Sequence, residues 1–396
     1  MVERIERSNT NSAKYNPKAI ENLCGNPNAE PFWVADMDLA SPNAAKEALV
    51  ATAQLGLYGY PAFDGLDQAF IDWVRMRHSC TLSKTDVVVS PGILASIAVM
   101  TELLPGKDVI IPRPAYKPFV DIARNHGRRI HDWPLAYDRE EGRFDLDFAA
   151  LEEIASRPGS KILYFCSPHN PSGRVWNRAE LEKTAEICKK YDIVVFSDEI
   201  HCDLTFPSQH HTPFFEVAKE KDLECIVFMA PSKTFNIAGE HFSATVFTDP
   251  SFREAFSNYL EKMHIGEISL FSGTAAYECY RHGYNWLMEL TAYLEDNAKL
   301  IDDFFKTNIP QIKFIMPQAS FVTFLDCSQV RTMLQKAGKD IDLVHFFGKE
   351  ASVAMNAGPW FGEGYEDFLR FNYGTDKNHI TEALERMKKA VEGIPS

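Results

Sequence analysis

The stretch Ala230-Pro-Ser-Lys-Thr-Phe-Asn-Ile-Ala-Gly-Glu-His241 decides how this chain is read. It begins where a strand-like apolar run, Cys225 to Ala230, ends, and Lys233 follows at once behind a turn marked by Pro231 and Ser232. An amine on a flexible stem then projects from a strand end, where open α/β sheets hold their ligands. Such a lysine can carry a Schiff base. Lysines after strands more often face water, so the weight falls on two further strand ends.

Lys161 to Cys166 (KILYFC) leads into Ser167-Pro-His-Asn-Pro-Ser-Gly173, and Ile193 to Ser197 (IVVFS) leads into Asp198-Glu-Ile-His201. Between them Leu181, Ala185 and Cys188 recur at helical spacing, which predicts a helix over Arg178 to Lys190. The result is a βαβ unit with parallel strands whose carboxyl ends share one edge. Asn170, Asp198 and Lys233 are therefore expected to meet. An amide, a carboxylate and an amine in one crevice match the needs of pyridoxal phosphate. The lysine makes the imine, the carboxylate keeps the pyridine nitrogen protonated, and the amide holds the ring hydroxyl.

S-P-H-N-P-S-G, S-D-E-I-H and A-P-S-K-T-F-N resemble motifs of fold-type I pyridoxal-phosphate enzymes, the aspartate aminotransferase superfamily (class I/II aminotransferases). Together with Trp33-Val-Ala-Asp-Met-Asp38 and Tyr58-Gly-Tyr-Pro-Ala-Phe-Asp-Gly65, they resemble the narrower group of cystathionine β-lyase-like carbon–sulfur lyases that includes cystalysin. The resemblance runs from about Trp33 to Thr375. It implies an α/β fold: a large domain with a mostly parallel seven-stranded sheet between helices, and a smaller α+β domain built from both termini. The expected division is residues 46–284 for the large domain, with 1–45 and 285–396 in the small one.

Composition agrees with a small-molecule enzyme. The 396 residues exceed what one hydrophobic core usually supports, which predicts two domains. A net charge of -14 and a pI near 5.4 argue against nucleic acid or an anionic membrane as partner. The charged start Met-Val-Glu-Arg-Ile-Glu-Arg lacks a signal-like apolar run, and no uninterrupted apolar segment reaches membrane-spanning length, so a cytoplasmic protein is expected. Eight scattered cysteines without a C-x-x-C pair predict reduced, mostly buried thiols. His210-His211 and His201-Cys202 are too isolated to propose a metal.

Along the chain, the first 40 residues read as an arm and a short strand. Asp36 and Asp38 alternate with apolar neighbours, which gives either a strand end with solvated acids or a substrate contact. The Tyr58 to Gly65 stretch reads as a rigid loop presenting rings. The resemblance implies that Tyr60 crosses a dimer interface to the cofactor phosphate and substrate site of the neighbouring subunit, making a homodimer with shared sites. Asp86 to Ser90 reads as a strand, and Pro91-Gly92 turns into an apolar helix from Ile93 to Leu104. A helix start with glycine suits an anion, and the resemblance puts the phosphate at Gly92, Ile93 and Leu94, with Ser232 contributing. After a strand from Asp108 to Ile111, Tyr116 could stack on a pyridine ring or pack a helix start. Lys117 stands where the family often has a second aromatic residue.

Phe368-Leu-Arg-Phe-Asn-Tyr373 alternates, so Phe368, Arg370 and Asn372 share one strand face. Arg370 there is either a structural ion pair or, as the resemblance implies, the fork that binds the substrate α-carboxylate. Two departures from related aminotransferases stand out: His241 replaces a phosphate-binding arginine, and His201 replaces a tyrosine near the ring hydroxyl. The expected activity is pyridoxal-phosphate-dependent α,β-elimination on cystathionine-like amino acids, giving thiol, pyruvate and ammonia. Lys233 is the base, Asp198 stabilises the ring charge, and Lys233 or Tyr116 is the proton donor to the thiolate. Asn170 and Arg370 hold substrate. An aminotransferase shares every cofactor residue, and a protein that binds the cofactor but acts as a regulator is the rival of another class.

Overall fold

The computed structural model describes residues 3–395. The short apolar runs assemble into a seven-stranded sheet. Its order is Val87–Ser90, Ser243–Phe247, Cys225–Met229, Ile193–Asp198, Lys161–Cys166, Asp108–Arg113 and Ile130–Pro134. Ser243–Phe247 runs antiparallel to both its neighbours, and the other adjacent pairs are parallel. Every residue of the three central strands Lys161–Cys166, Ile193–Asp198 and Cys225–Met229 is buried, as expected when helices cover both faces of a parallel sheet. Register pairs Cys166 with Asp198 and Asp198 with Phe228, so the loops that follow these strands leave from one edge.

The crossover helix spans Arg178–Lys190 and buries Leu181, Ala185 and Cys188. Asn177 and Glu180 cap its start reciprocally, each side chain accepting from the other's backbone N–H. Where the sequence suggests a plain turn before Lys233, the chain makes a single helical turn, Pro231–Thr234. Proline at its first position needs no N–H partner and is already shaped for a helix. The strand expected from Asp86 begins one residue later, because the Asp86 carboxylate accepts from the Ser83 N–H and closes a short 3₁₀ turn.

A second, antiparallel sheet is ordered Lys313–Phe314, Val322–Asp326, Phe368–Asn372 and Asn356–Ala357. Arg370 lies opposite Phe324 on one side and Asn356 on the other. The N-terminal region contains a helix, Pro17–Cys24, not foreseen in the sequence, as well as a two-residue strand, Glu30–Pro31, paired with Val353–Ala354.

The Trp33–Asp38 segment is not a strand end. Side chains replace sheet partners: Asn236 accepts from Met37 N–H and donates to the Met37 and Leu39 carbonyls, while Asn372 donates to those of Val34 and Asp36. The acids are not free in solvent either, since Asp36 pairs with Arg7 and buried Asp38 pairs with both Arg7 and Lys14. All eight cysteines are buried free thiols. No helix among the described residues is long and apolar enough to cross a membrane.

Gly358 opens the turn that carries Trp360 and Phe361 toward Arg370. A Cβ there would lie 1.8 Å from the Tyr365 carbonyl oxygen and 2.7 Å from that of Phe368, and backbone on both sides leaves nowhere to yield. Gly358→Ala is expected to destabilise the protein by about 1–3 kcal/mol, the usual cost of overpacking. A lowered urea-unfolding midpoint would show it, and an unchanged midpoint would mean that the turn can open.

Candidate active site

The three strand-end loops and the Ile93–Leu103 helix enclose a cavity of about 400 Å³, within the usual range for small-molecule sites. Gly92, Ile93, Leu94, Tyr116, Asn170, Asp198, His201, Ser232, Lys233 and His241 all line it. The structure thus gathers every residue assigned a cofactor or catalytic role in the sequence except Tyr60, while Arg370, Asp36 and Asp38 lie outside the cavity lining. Arg370 lies directly behind Asn170, to which it donates. Tyr60 lines a different cavity of its own chain and is 95% exposed.

Asp198 is the last residue of its strand and is buried. Among the described residues its carboxylate receives one hydrogen bond, from the Ile200 N–H at 3.0 Å. Burial pushes its pKa up to about 7, against the opposing pull of that N–H and of Lys233, while neighbouring Glu199 pushes the same way as burial. Lys233 Nζ donates to the Ala35 carbonyl at 2.5 Å. Burial lowers this amine to about 8; Asp36 and Asp198 hold it up, and Arg370 pushes it further down. An amine so placed is poised to lose a proton near neutrality.

Arg370 is the most unusual group. It is 3% exposed and has no carboxylate partner among the described residues. Its guanidinium donates to Asn170 Oδ1 at 3.3 Å, the Trp33 carbonyl at 2.7 Å and Asn356 Oδ1 at 2.7 Å, and its Nε is unpaired. Phe361 and Trp360 flank it, with ring centres 5.1 and 5.9 Å from its central carbon. Burial lowers its pKa to about 10. The structural ion pair considered for it from sequence is therefore absent among the described residues, and a charge buried on neutral acceptors suits an incoming carboxylate.

Tyr116 packs against Trp360 with ring centres 5.6 Å apart, and burial raises its hydroxyl pKa. His201 is buried beside Ser320 Oγ at 3.1 Å; burial, Lys233, Arg370 and His169 bring it down to about 3, so it is a neutral imidazole at pH 7. At the other end of the cavity Gly92 has φ 143°, a backbone conformation suited to glycine, and no side chain caps the helix that follows. Its first N–H groups offer an anion site.

Beneath Lys233, Thr234 Oγ1 donates to Asp203 Oδ2 at 2.9 Å, and Trp73 Nε1 donates to Oδ1 at 3.0 Å. His78 Nε2 also lies 2.9 Å from Oδ1. With Cys202, His78 and Asp203 form a group of metal-ligand type. Both carboxylate oxygens already have protein donors, so the group reads as the footing of the lysine turn. His211 pairs with Glu199 instead.

Sequence reasoning missed Asn356, Trp360 and the Ala35 carbonyl. The Gly358-Pro-Trp-Phe-Gly362 run was the available signal for Trp360. A carbonyl acceptor leaves no side-chain signature.

A protonated Asp198 is favoured in the folded chain, because its pKa is raised above the ordinary 3.8. Its contribution to stability is therefore full below pH 3.8 and is lost as pH rises through about 7. In protein freed of any ligand, the unfolding free energy of the wild type minus that of Asp198→Asn should fall across this window by on the order of 1 kcal/mol per pH unit. A flat difference in urea titrations would contradict the burial argument.

The family described as Aminotransferase class I and II matches residues 34–387. Cystathionine beta-lyase PatB of Bacillus subtilis is 35% identical over 391 residues, 98% of each chain. Cystalysin of Treponema denticola, solved with pyridoxal 5'-phosphate, superposes with a TM-score of 0.89 at 30% identity, covering 99% of this chain and 98% of that one. The pyridoxal-phosphate-bound C-S lyase of Staphylococcus hominis gives a TM-score of 0.89 at 28% identity over 98% and 97%.

Proposed function

The chain belongs to the class I and II aminotransferase family, and from that premise we propose that it is a pyridoxal-phosphate-dependent carbon–sulfur β-lyase. It eliminates a thiol from cystathionine or a related cysteine thioether, and one water then hydrolyses the released three-carbon enamine to pyruvate and ammonia. The observation that carries this reading is the near full-length similarity to a cystathionine β-lyase, on a chain whose Asp198 and Lys233 line one cavity, with Arg370, which has no carboxylate partner among the described residues, directly behind Asn170 in its wall.

The residues present fit the cofactor. Asp198, a buried carboxylate short of partners, suits the protonated ring nitrogen; Asn170 suits the ring hydroxyl and Tyr116 a ring face. The uncapped helix start at Gly92, Ile93 and Leu94 suits the phosphate, with Ser232 and His241 beside it in the cavity wall. When bound, the cofactor supplies an electron sink for the charge left at Cα. Arg370 holds the substrate α-carboxylate in a fork. Lys233 takes the α-proton at Nζ, an amine that burial has already brought down to about 8. The Cβ–S bond breaks with its electron pair on sulfur, and the thiolate takes a proton from Lys233 Nζ or the Tyr116 hydroxyl. Ring walls on Arg370 exclude water from the carboxylate.

The proposed enzyme is a cytoplasmic homodimer, with its large domain at 46–284 and the small one from 1–45 and 285–396. Eight unpaired thiols support a reducing compartment. The dimer is supported by a run of exposed apolar side chains: Leu55 at 72%, Leu57 at 68%, Tyr58 at 62% and Tyr60 at 95%. In such a dimer the partner subunit's Tyr60 would complete the cofactor and substrate site.

Incubated with cystathionine and no oxo acid, the enzyme should release thiol and pyruvate together over many turnovers. An aminotransferase would stop after one turnover, and sustained reaction only when an oxo acid is added would replace the lyase assignment. Mixing Tyr60→Phe chains with Lys233→Ala chains should recover part of the activity, because one site of each hybrid holds both intact residues. No recovery despite demonstrated subunit exchange would show that Tyr60 does not act across the interface.

A further inference from the structure

The N-terminal arm reaches the lysine through a chain of charges that the proposed function does not use. Arg7 grips Asp36 in a bidentate fork, Nη1 to Oδ1 at 2.8 Å and Nη2 to Oδ2 at 2.8 Å. The same guanidinium donates to the Met37 carbonyl at 3.0 Å, Asp38 Oδ1 at 3.1 Å and Ser12 Oγ at 2.7 Å. Lys14, itself buried, holds Asp38 at 3.0 Å and reaches the Asp36 carbonyl at 3.3 Å. Directly before Asp36, the Ala35 carbonyl accepts from Lys233 Nζ.

We propose that Arg7 is a positioning residue for the active-site amine: by clamping Asp36 it holds the Ala35 carbonyl against Lys233 and screens the Asp36 charge from it. The inference rests on the assignment of Lys233 as the reacting amine. Two observations carry it. The first is geometric, since a guanidinium 29 residues upstream of Asp36, bonded through both Nη atoms, fixes the backbone segment whose Ala35 carbonyl accepts from the amine. The second is electrostatic. The charged and titratable groups acting on Lys233 are Asp36, Asp198 and Arg370, with neutral His201 beside them, and Asp36 is the strongest of the carboxylates.

A bidentate guanidinium removes much of a carboxylate's field at a third group. Loss of Arg7 therefore strengthens the hold of Asp36 on the proton of Lys233 and raises its pKa. Loss of the Asp36 charge lowers it. The two substitutions break the same ion pair but move the amine in opposite directions, which a purely structural clamp cannot do.

The test is competitive labelling of the full-length protein, stripped of cofactor, with acetic anhydride across pH, the Lys233 peptide being quantified by mass spectrometry. Asp36→Asn should lower the labelling midpoint by about one pH unit and Arg7→Gln should raise it by a similar amount, the scale expected for a charge at short range. Arg7→Lys, which keeps the charge, should return the midpoint toward the wild-type value. The reading is overturned if the two midpoints move together, or if either Asp36→Asn or Arg7→Gln leaves its midpoint at the wild-type value. Labelling reports the amine itself, so a lyase assignment that failed would leave this result standing.

Discussion

The parallel register of three buried strands is the constraint on which the site depends. Cys166 is level with Asp198, and Asp198 with Phe228, so the chain must leave the sheet three times along the same edge. Parallel pairing in turn requires a crossover, and the Arg178–Lys190 helix with its reciprocal cap supplies one. Asn170, Asp198 and Lys233 lie 28 or more positions apart in sequence, yet all three line one cavity. Asp203 then fixes the last of them from below through Thr234.

Desolvation gives this edge its chemistry. Burial raises Asp198 and lowers Lys233 and Arg370, so the charged form of each is disfavoured, yet Arg370 keeps its proton at pH 7 and stays a buried charge. Internal ion pairs were open to the fold, which places Asp38 against Lys14 and Arg7. The protein instead gives Arg370 only carbonyl and amide oxygens, and gives Asp198 one backbone N–H. A ligand with a carboxylate and a protonated ring nitrogen satisfies both at once. Burying charges that only a ligand completes costs stability and returns it as orientation.

Most of the large sheet was legible in the sequence, because buried parallel strands read as short, continuous apolar runs bounded by Gly, Pro and Asp. KILYFC and the Arg178–Lys190 helix have the same bounds in the structure. The Trp33–Asp38 segment was not legible as built. Alternation suggested a strand end, but its backbone is satisfied by the amides of Asn236 and Asn372, distant partners that no local pattern reveals. The Pro17–Cys24 helix was obscured by the Asn- and Pro-rich composition around it, although Asn16 and Pro17 are cap and first-turn residues. Arg370 was found through the cost of burying it, whereas Asn356 beside it carries no such cost, and Trp360 was marked only by the Gly358-Pro-Trp-Phe-Gly362 run around it.

Those same amides explain how two separate sheets hold one geometry. Asn236 lies three residues past Lys233, and Asn372 two residues past Arg370 on the same strand face. Both bond the backbone of residues 34–39, and Arg370 itself donates to the carbonyl of Trp33, just before that run. One irregular segment is thus tied to the lysine turn at one end and to the arginine strand at the other. The irregular course of the segment turns the Ala35 carbonyl toward Lys233 and those of Val34, Asp36, Met37 and Leu39 toward the two amides. That irregular course is therefore what sets the spacing between the reacting amine and the carboxylate fork.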